Sequence, residues 1–324
     1  MYEPDSPTID PSAQTDDWPL PGDPTILFLP MGTDVAMLER IDRESLSFWQ
    51  DSWRRLRKNK LALTGGVFVI LFTLIAIFGP MLTRYNPNTQ QLRLTNQGPS
   101  ATHWFGTDQF GRDLFTRVVY GIRISLIVAY VSTVFSVAIG VTYGTVSAVL
   151  GGQIDNVMMR IVDIMMGIPS LLYLILLIVV LGPGLWSIIA AFALTGWLGM
   201  ARMVRAEVLS LKNREFVLAS RALGTRMRTI AARHLVPNAL GTIIVLATLS
   251  IPGAIFAEAF LSYIGLGITA PQASLGVLAS DASDTFMTFP HQLLFPALAI
   301  SLIILFFNFL GDGLRDALDP KMKK

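Results

Sequence analysis

The 324-residue chain predicts an all-α membrane protein with six transmembrane helices, on three observations. Its residues are 52% hydrophobic and only 15% charged, against about 25% charged in an ordinary soluble domain. Its mean hydropathy is +0.54. It also holds several uncharged stretches of the roughly 20 residues needed to cross about 30 Å of hydrocarbon. Lys and Arg number 25 and Asp and Glu 23, a net charge of +2, so nothing in the balance points to nucleic acid. There is no cysteine, which excludes disulfides, thiol catalysis and thiolate-bound metal.

Residues 1–45 are rich in Asp, Glu and Pro and read as a disordered acidic tail. The apolar run PTILFLP (24–30) is too short to span. The tail lacks the basic-then-apolar pattern of a cleaved leader, so a later span is expected to act as the insertion signal. Residues 46–60, LSFWQDSWRRLRKNK, read as an amphipathic helix at the membrane surface. Phe48, Trp49 and Trp53 would sit at the interface and the cations among lipid headgroups. Spans are expected near 61–82, 122–150, 157–181, 185–204, 240–265 and 293–314. The first span and its loop run to 120, the helical core covers 121–314, and 315–324 is a tail. In the second span Ser132, Ser136, Gly140, Gly144 and Ala148 recur every four residues, a smooth stripe that admits a neighbouring helix closely. Pro169 and Pro252 interrupt the third and fifth spans and invite kinks.

Cations orient the bundle. Arg54, Arg55, Arg57, Lys58 and Lys60 precede the first span, placing the N-terminus in the cytoplasm. Six crossings return the C-terminus, with Lys321, Lys323 and Lys324, to the same side. The connection 205–239 holds seven Lys and Arg and is cytoplasmic. The connection 266–292 has none, carries Asp281 and Asp284, and is outside. The loop 83–121 has Arg84, Arg93, Arg112 and Arg117, yet parity puts it outside.

Glu258 lies well inside the fifth span. A charge there costs roughly 2.5–3.5 kcal/mol on insertion scales unless it faces protein or water. Two readings stand: a residue of the translocation path, or a structural hydrogen bond to a neighbouring helix. Asp155, Arg160 and Asp163 lie at the cytoplasmic end of the third span, where Arg160 and Asp163, three apart, are expected to pair. None of the six lysines follows a glycine, so no phosphate-binding loop is present. His103, His234 and His291 lie in different loops, and neither a metal-binding nor a catalytic motif is found.

The segment 214–236 is helical in period. Phe216, Ala219, Leu223, Met227 and Ile230 share one apolar face, and Arg214, Arg221 and Arg228 recur every seven residues. Gly224 suits the positive φ that ends a helix, Thr225 suits the cap of the next, and Pro237 ends that helix or starts the following span. The expectation is two short helices meeting at a tight turn.

This segment resembles the Glu-Ala-Ala loop of ABC importer permeases. Ala219, Gly224 and Pro237 match its general pattern, while Leu218, Ser220 and His234 stand where glutamate, alanine and isoleucine are usual. Glu215, Phe216, Val217, Ala219, Ser220, Leu223 and Gly224, then His234, Pro237 and Asn238, match the version typical of the dipeptide/oligopeptide/nickel permease group. HWFGTDQFGRDLFTRVVYGIRISL (103–126), GGQIDNVMMRIVDIMMGIPSLL (151–172), AEAFLSYIGLGI (257–268) and GDGLRDALDP (311–320) resemble further signatures of that group. The likeness covers 46–324, and the helix before the first span with the closing DALDP points to the C-type subunit. PQASLG (271–276) departs from the usual proline-serine-tryptophan-glycine run.

The resemblance implies a type I ABC importer permease fold whose loop at 205–239 carries a coupling helix. It implies a non-catalytic subunit of a bacterial inner or plasma membrane, surrounded by lipid and without a cofactor of its own. A B-type permease would complete the path. Two ABC ATPase subunits would bind ATP and Mg and seat the coupling helix in their grooves. An extracytoplasmic peptide-binding protein would deliver substrate. The expected contacts are Glu215, Phe216, Ala219, Ser220, Arg221, Leu223, Gly224, His234 and Pro237. Thr107 or Asp108 is expected to cap a helix, and Gly106, Gly111, Arg112 and Asp113 to brace the outer mouth by hydrogen bonds. The function expected is peptide import. A nickel-chelate permease and a proton-coupled secondary transporter using Glu258 are the alternatives.

Overall fold

The computed structural model describes residues 47–269 and 272–318. The acidic tail 1–45, the C-terminal lysines and the side chain of Phe48 lie outside the described residues. Among the described residues the fold is helical, with one isolated bridge between Thr107 and Asp113.

Helix α1 (Phe48–Lys58) leaves Trp49 and Trp53 half exposed, with Arg57 4.9 Å above the Trp53 ring. It packs against the last helix. Asn59 separates it from α2 (Lys60–Leu82), its side chain accepting from the Leu61 and Ala62 amides at 3.1 and 3.2 Å. Helix α3 (Leu114–Leu150) runs 37 residues, about 55 Å at 1.5 Å per residue, and starts eight residues before the expected span. Its small-residue stripe faces α7 (Trp197–Lys212). A Cβ on Gly140 would lie 2.6 Å from the Met200 Cβ, and one on Gly144 2.4 Å from the Ala201 carbonyl.

The third span is broken. Helices α4 (Gly152–Met166) and α5 (Ser170–Leu181) meet at 83°, with Pro169 at the start of α5. Pro252, by contrast, sits inside an unbroken α10 (Val236–Tyr263). Pro169 follows the helix-ending Gly167, whereas Pro252 is buried together with Ile251 and Ile255 in the interior of α10. Helix α6 (Leu185–Thr195) passes through Gly196 into α7, which continues to Lys212. The connection expected from 205 therefore begins near 213. There stand α8 (Glu215–Ala222), α9 (Met227–Ile230) and a π-helical turn (Ala231–Leu235) leading into α10. The wider turn fits Pro237, which lacks the amide to bond one turn back and whose ring would crowd that carbonyl. Helix α11 (Leu275–Ser283) follows, capped by Ser274, and α12 (His291–Leu318) closes the fold. Among the described residues five helical runs are long and apolar enough to cross a membrane, α6 with α7 and α9 through α10 each counting as one, and the bent α4–α5 pair makes a sixth crossing if counted as one span.

Helix α12 packs on α2 where Gly65 meets the Leu310 amide and Phe306 carbonyl and where Phe68 stacks on Phe306 at 4.0 Å. One apolar core joins α2, α3, α10, α11 and α12. A second joins the end of α3, α7, α8, α9 and the start of α10.

Candidate coupling segment and polar clusters

The turn after α8 is a Schellman motif. The Gly224 amide donates to the Arg221 carbonyl at 2.9 Å and the Thr225 amide to the Ser220 carbonyl at 3.1 Å, with Gly224 at φ +79. The cap position of α9 is Arg226, not Thr225, which is taken up in the Schellman turn, and no side chain caps α9. The turn also splits the expected apolar ridge. Phe216, Ala219 and Leu223 stay exposed, Leu223 at 87%, whereas Ile230 is buried and Met227 half-buried in the second core. Sequence reasoning missed the anchor of α8: Val217, one residue off the ridge, is 0% exposed among Val204, Val208 and Ile230. Glu215, Arg221, Gly224 and Pro237 are exposed and Ser220 and His234 half-buried. The Ser220 hydroxyl donates to the Phe216 carbonyl at 2.9 Å, and His234 lies 6.4 Å from the Phe216 ring.

A polar cluster lies at the same end. The Asp155 carboxylate receives a two-pronged pair from Arg205 (Nε 2.6 Å, Nη2 2.5 Å) and the Ser147 hydroxyl at 2.5 Å. Asp163 pairs with Arg202, not with Arg160, which is exposed. Arg202 reaches Asp163 from α7 through one nitrogen, whereas Arg205 grips Asp155 through two. Lys212 donates to the Ala148 carbonyl at 2.9 Å. These partners lie about 40 to 65 residues apart, and no local spacing betrays them.

At the other end, Asp113 caps α3 through the Thr116 amide at 2.8 Å, and Asp108 has another role. One oxygen of Asp108 accepts from Arg112 Nε and Arg117 Nη1, both at 2.6 Å, and the other from the Phe110 and Arg112 amides at 2.9 Å. Both arginines also reach Asp281 at 3.3 Å. Sequence reasoning missed Asp281, although surplus arginines in one outer loop and lone acids in the other were a signal. Thr107 donates to the Leu94 carbonyl. Gly106 and Gly111 have positive φ, and a Cβ at either would meet the Gln97 or Gln91 carbonyl within 2.3 Å. His103 Nδ1 lies 2.9 Å from Asp113.

Glu258 is 0% exposed. Hydroxyls of Ser125 on α3 and Ser262 on α10 donate to it at 2.7 and 2.8 Å, and Ser274 lies within reach. The Ser262 hydroxyl in turn accepts from the Ile268 amide at 3.3 Å. The carboxyl thus joins α3, α10 and the connection that follows α10, and the geometry favours the structural one of its two readings. Among the described residues no group of three or more His, Asp or Glu side chains is placed to hold a metal.

Comparison with known proteins adds the relatives. Residues 136–324 match the model described as binding-protein-dependent transport system inner membrane component, and 47–99 match the N-terminal TM domain of oligopeptide transport permease C. The chain is 48% identical to the oligopeptide transport system permease protein OppC of Bacillus subtilis, over 93% of this chain and 99% of that one. It is 52% identical to the dipeptide transport system permease protein DppC of the same organism, over 88% and 90%. A chain of the MetNI methionine ABC transporter, solved in inward facing conformations, shares the fold: TM-score 0.53, 22% identity, covering 62% of this chain and 96% of that one.

Proposed function

Because the chain belongs to the binding-protein-dependent transport system inner membrane components, we propose that it is the C-type permease subunit of an ATP-driven importer of oligopeptides or dipeptides. The observation that carries the reading is α8. It is a short helix fastened by buried Val217 to α7, yet it turns Phe216, Leu218 and Leu223 outward. Exposed apolar side chains on a charged segment outside the apolar spans suit a partner's groove better than water. Two ATPase subunits, which hold ATP and Mg, seat α8, with Ala219 and Ser220 allowing close approach and Arg221 meeting acids. A B-type permease completes the path, and an extracytoplasmic binding protein supplies peptide. The α8 end, with both termini, faces the cytoplasm of a bacterial inner or plasma membrane. This chain contributes no catalytic group.

The absence of cysteine allows a direct trial. A single cysteine at Ala219 or Leu223, in the complex with a co-expressed ATPase, should give cross-links that change with ATP. Loss of every cross-link from 215–224 would refute the docking. Uptake of a labelled peptide, competed by peptides of graded length and by nickel chelates, identifies the substrate.

A further inference from the structure

Helix α4 is held to the rest of the chain by polar bonds more than by apolar burial. Of its fifteen residues only Asp155 and Val162 are buried. Ile154, Val157, Ile161 and Ile164 are all about half exposed or more. Both of its ends are marked by glycine. Gly151 and Gly152 both have positive φ, and Gly152 has open space around it. At the other end Gly167 stops the helix, and the chain turns 83° into α5.

The side-chain bonds that hold α4 run to α3 and α7, apart from one across the bend, where the Tyr173 hydroxyl of α5 donates to the Met165 carbonyl at 2.7 Å. Arg205 grips Asp155 with two nitrogens, Arg202 takes Asp163, and Tyr143 of α3 donates to the Met158 carbonyl at 2.9 Å. The two-nitrogen grip on Asp155 orients α4, and the half-exposed pair at Asp163, eight residues on, adds a second and weaker contact. Helices α3 and α7 are themselves closed on each other at Gly140 and Gly144, where backbone meets side chain with no space for a Cβ. Helix α7 continues through Asn213 and Arg214 into α8, and Val217 seals α8 against Val204 and Val208.

We infer that α4 is fastened by Arg205 and Arg202 to the helix that carries α8 and moves with it as one body, the articulation lying at residues 167–169. The inference rests on the reading that α8 docks on the ATPase subunits. Arg202, Arg205, Asp155 and Asp163 are positioning residues: they touch no substrate and act by carrying α8's displacement across to the broken span. A fork-to-carboxylate pair is suited to this because it fixes direction as well as distance.

The test uses the complete transporter and spin labels on introduced cysteines. The distance from Val157 on α4 to Val180 on α5 should differ between nucleotide-free and ATP-bound complexes. That from Val157 to Met203 on α7 should not. In the double variant Asp155→Asn/Asp163→Asn, the Val157–Met203 distribution should broaden and peptide uptake fall about 5–150-fold, the range of a coupling between sites. The ATP-sensitive cross-link from Leu223→Cys should persist. If the double variant does not assemble, Arg205→Lys, which keeps the charge and loses the fork, should lower uptake in an intact complex. An α4–α5 distance identical in both nucleotide states, in a complex whose Leu223 cross-link responds to ATP, overturns the inference. So does wild-type uptake by the double variant, or by Arg205→Lys where that is the variant read. An absent Leu223 cross-link instead refutes the docking itself.

Discussion

Replacing Asp108 by alanine should leave two buried arginines without their shared acceptor. The side chains of Arg112, Arg117 and Asp108 are 8%, 3% and 6% exposed, and both cations lie 2.6 Å from one Asp108 oxygen. Removing one partner of a buried pair costs about 3–5 kcal/mol, because a desolvated charge stays behind. Asp281 does not compensate: it is 3.3 Å from both nitrogens and 31% exposed, so its own removal should cost about 1 kcal/mol or less. Asp108→Asn should fall between, since an amide oxygen can keep some of the hydrogen bonds but not the charge. At about 2 °C per kcal/mol for a chain of this size, Asp108→Ala should lower the melting temperature of the purified complex by about 6–10 °C and Asp281→Ala by about 2 °C or less. Limited proteolysis should cut the loop 83–113 faster only in the first. In Asp108→Ala/Arg117→Met, part of the loss should return, because the penalty is the stranded charge. Equal costs at Asp108 and Asp281, or a double variant worse than the single one, would refute this reasoning.

Three other substitutions test the remaining contacts. Gly144→Val would put a Cβ 2.4 Å from the Ala201 carbonyl and 3.0 Å from the Arg205 amide; neither backbone atom can yield, so co-purification with partner subunits should fail. Glu258→Gln should keep near-normal melting and uptake, while Glu258→Leu should cost about 1–3 kcal/mol by stranding the Ser125 and Ser262 hydroxyls. Impaired uptake by Glu258→Gln at unchanged melting temperature would restore the path reading. Leu223→Asp, at an 87% exposed position, should shift stability by no more than about 0.5 kcal/mol and abolish ATP-driven uptake.

The sequence disclosed what is local and periodic. Spans of about twenty apolar residues, the small-residue stripe on α3 and the glycine turn at 224 each follow from one stretch of chain, and the structure places each at or near its expected position. What it concealed is what depends on separation. The partner of Asp155 is Arg205, 50 residues away, while the nearer Arg160 has the spacing but lies on the exposed face. Val217 escaped because a ridge drawn through Phe216, Ala219 and Leu223 ran past the turn that ends the helix, and the buried side of α8 lies one residue over. The cap expected at Thr107 or Asp108 stands five or six residues later at Asp113, because three side chains able to cap crowd one short loop.

The loop 83–121, which carries four arginines, meets the connection between α10 and α12. Gln292, at the start of α12, donates to Asn96 at 2.9 Å and to the Thr107 carbonyl at 3.0 Å, and Arg112 and Arg117 reach Asp281. The two loops therefore close over one end of the bundle. Helix α3 leaves that end at Leu114 and reaches the other at Leu150, where Lys212 bonds its last turn and α8 begins. Helix α1 packs on α12, its Leu56 beside Gly313 near the C-terminal end, so it shares the α8 end. Five cations of 54–60 and seven of 205–239 thus gather at one end, against the four of 83–121 at the other, two at each end being paired with acids. An excess of that size is what the proposed orientation, with the α8 end in the cytoplasm, requires.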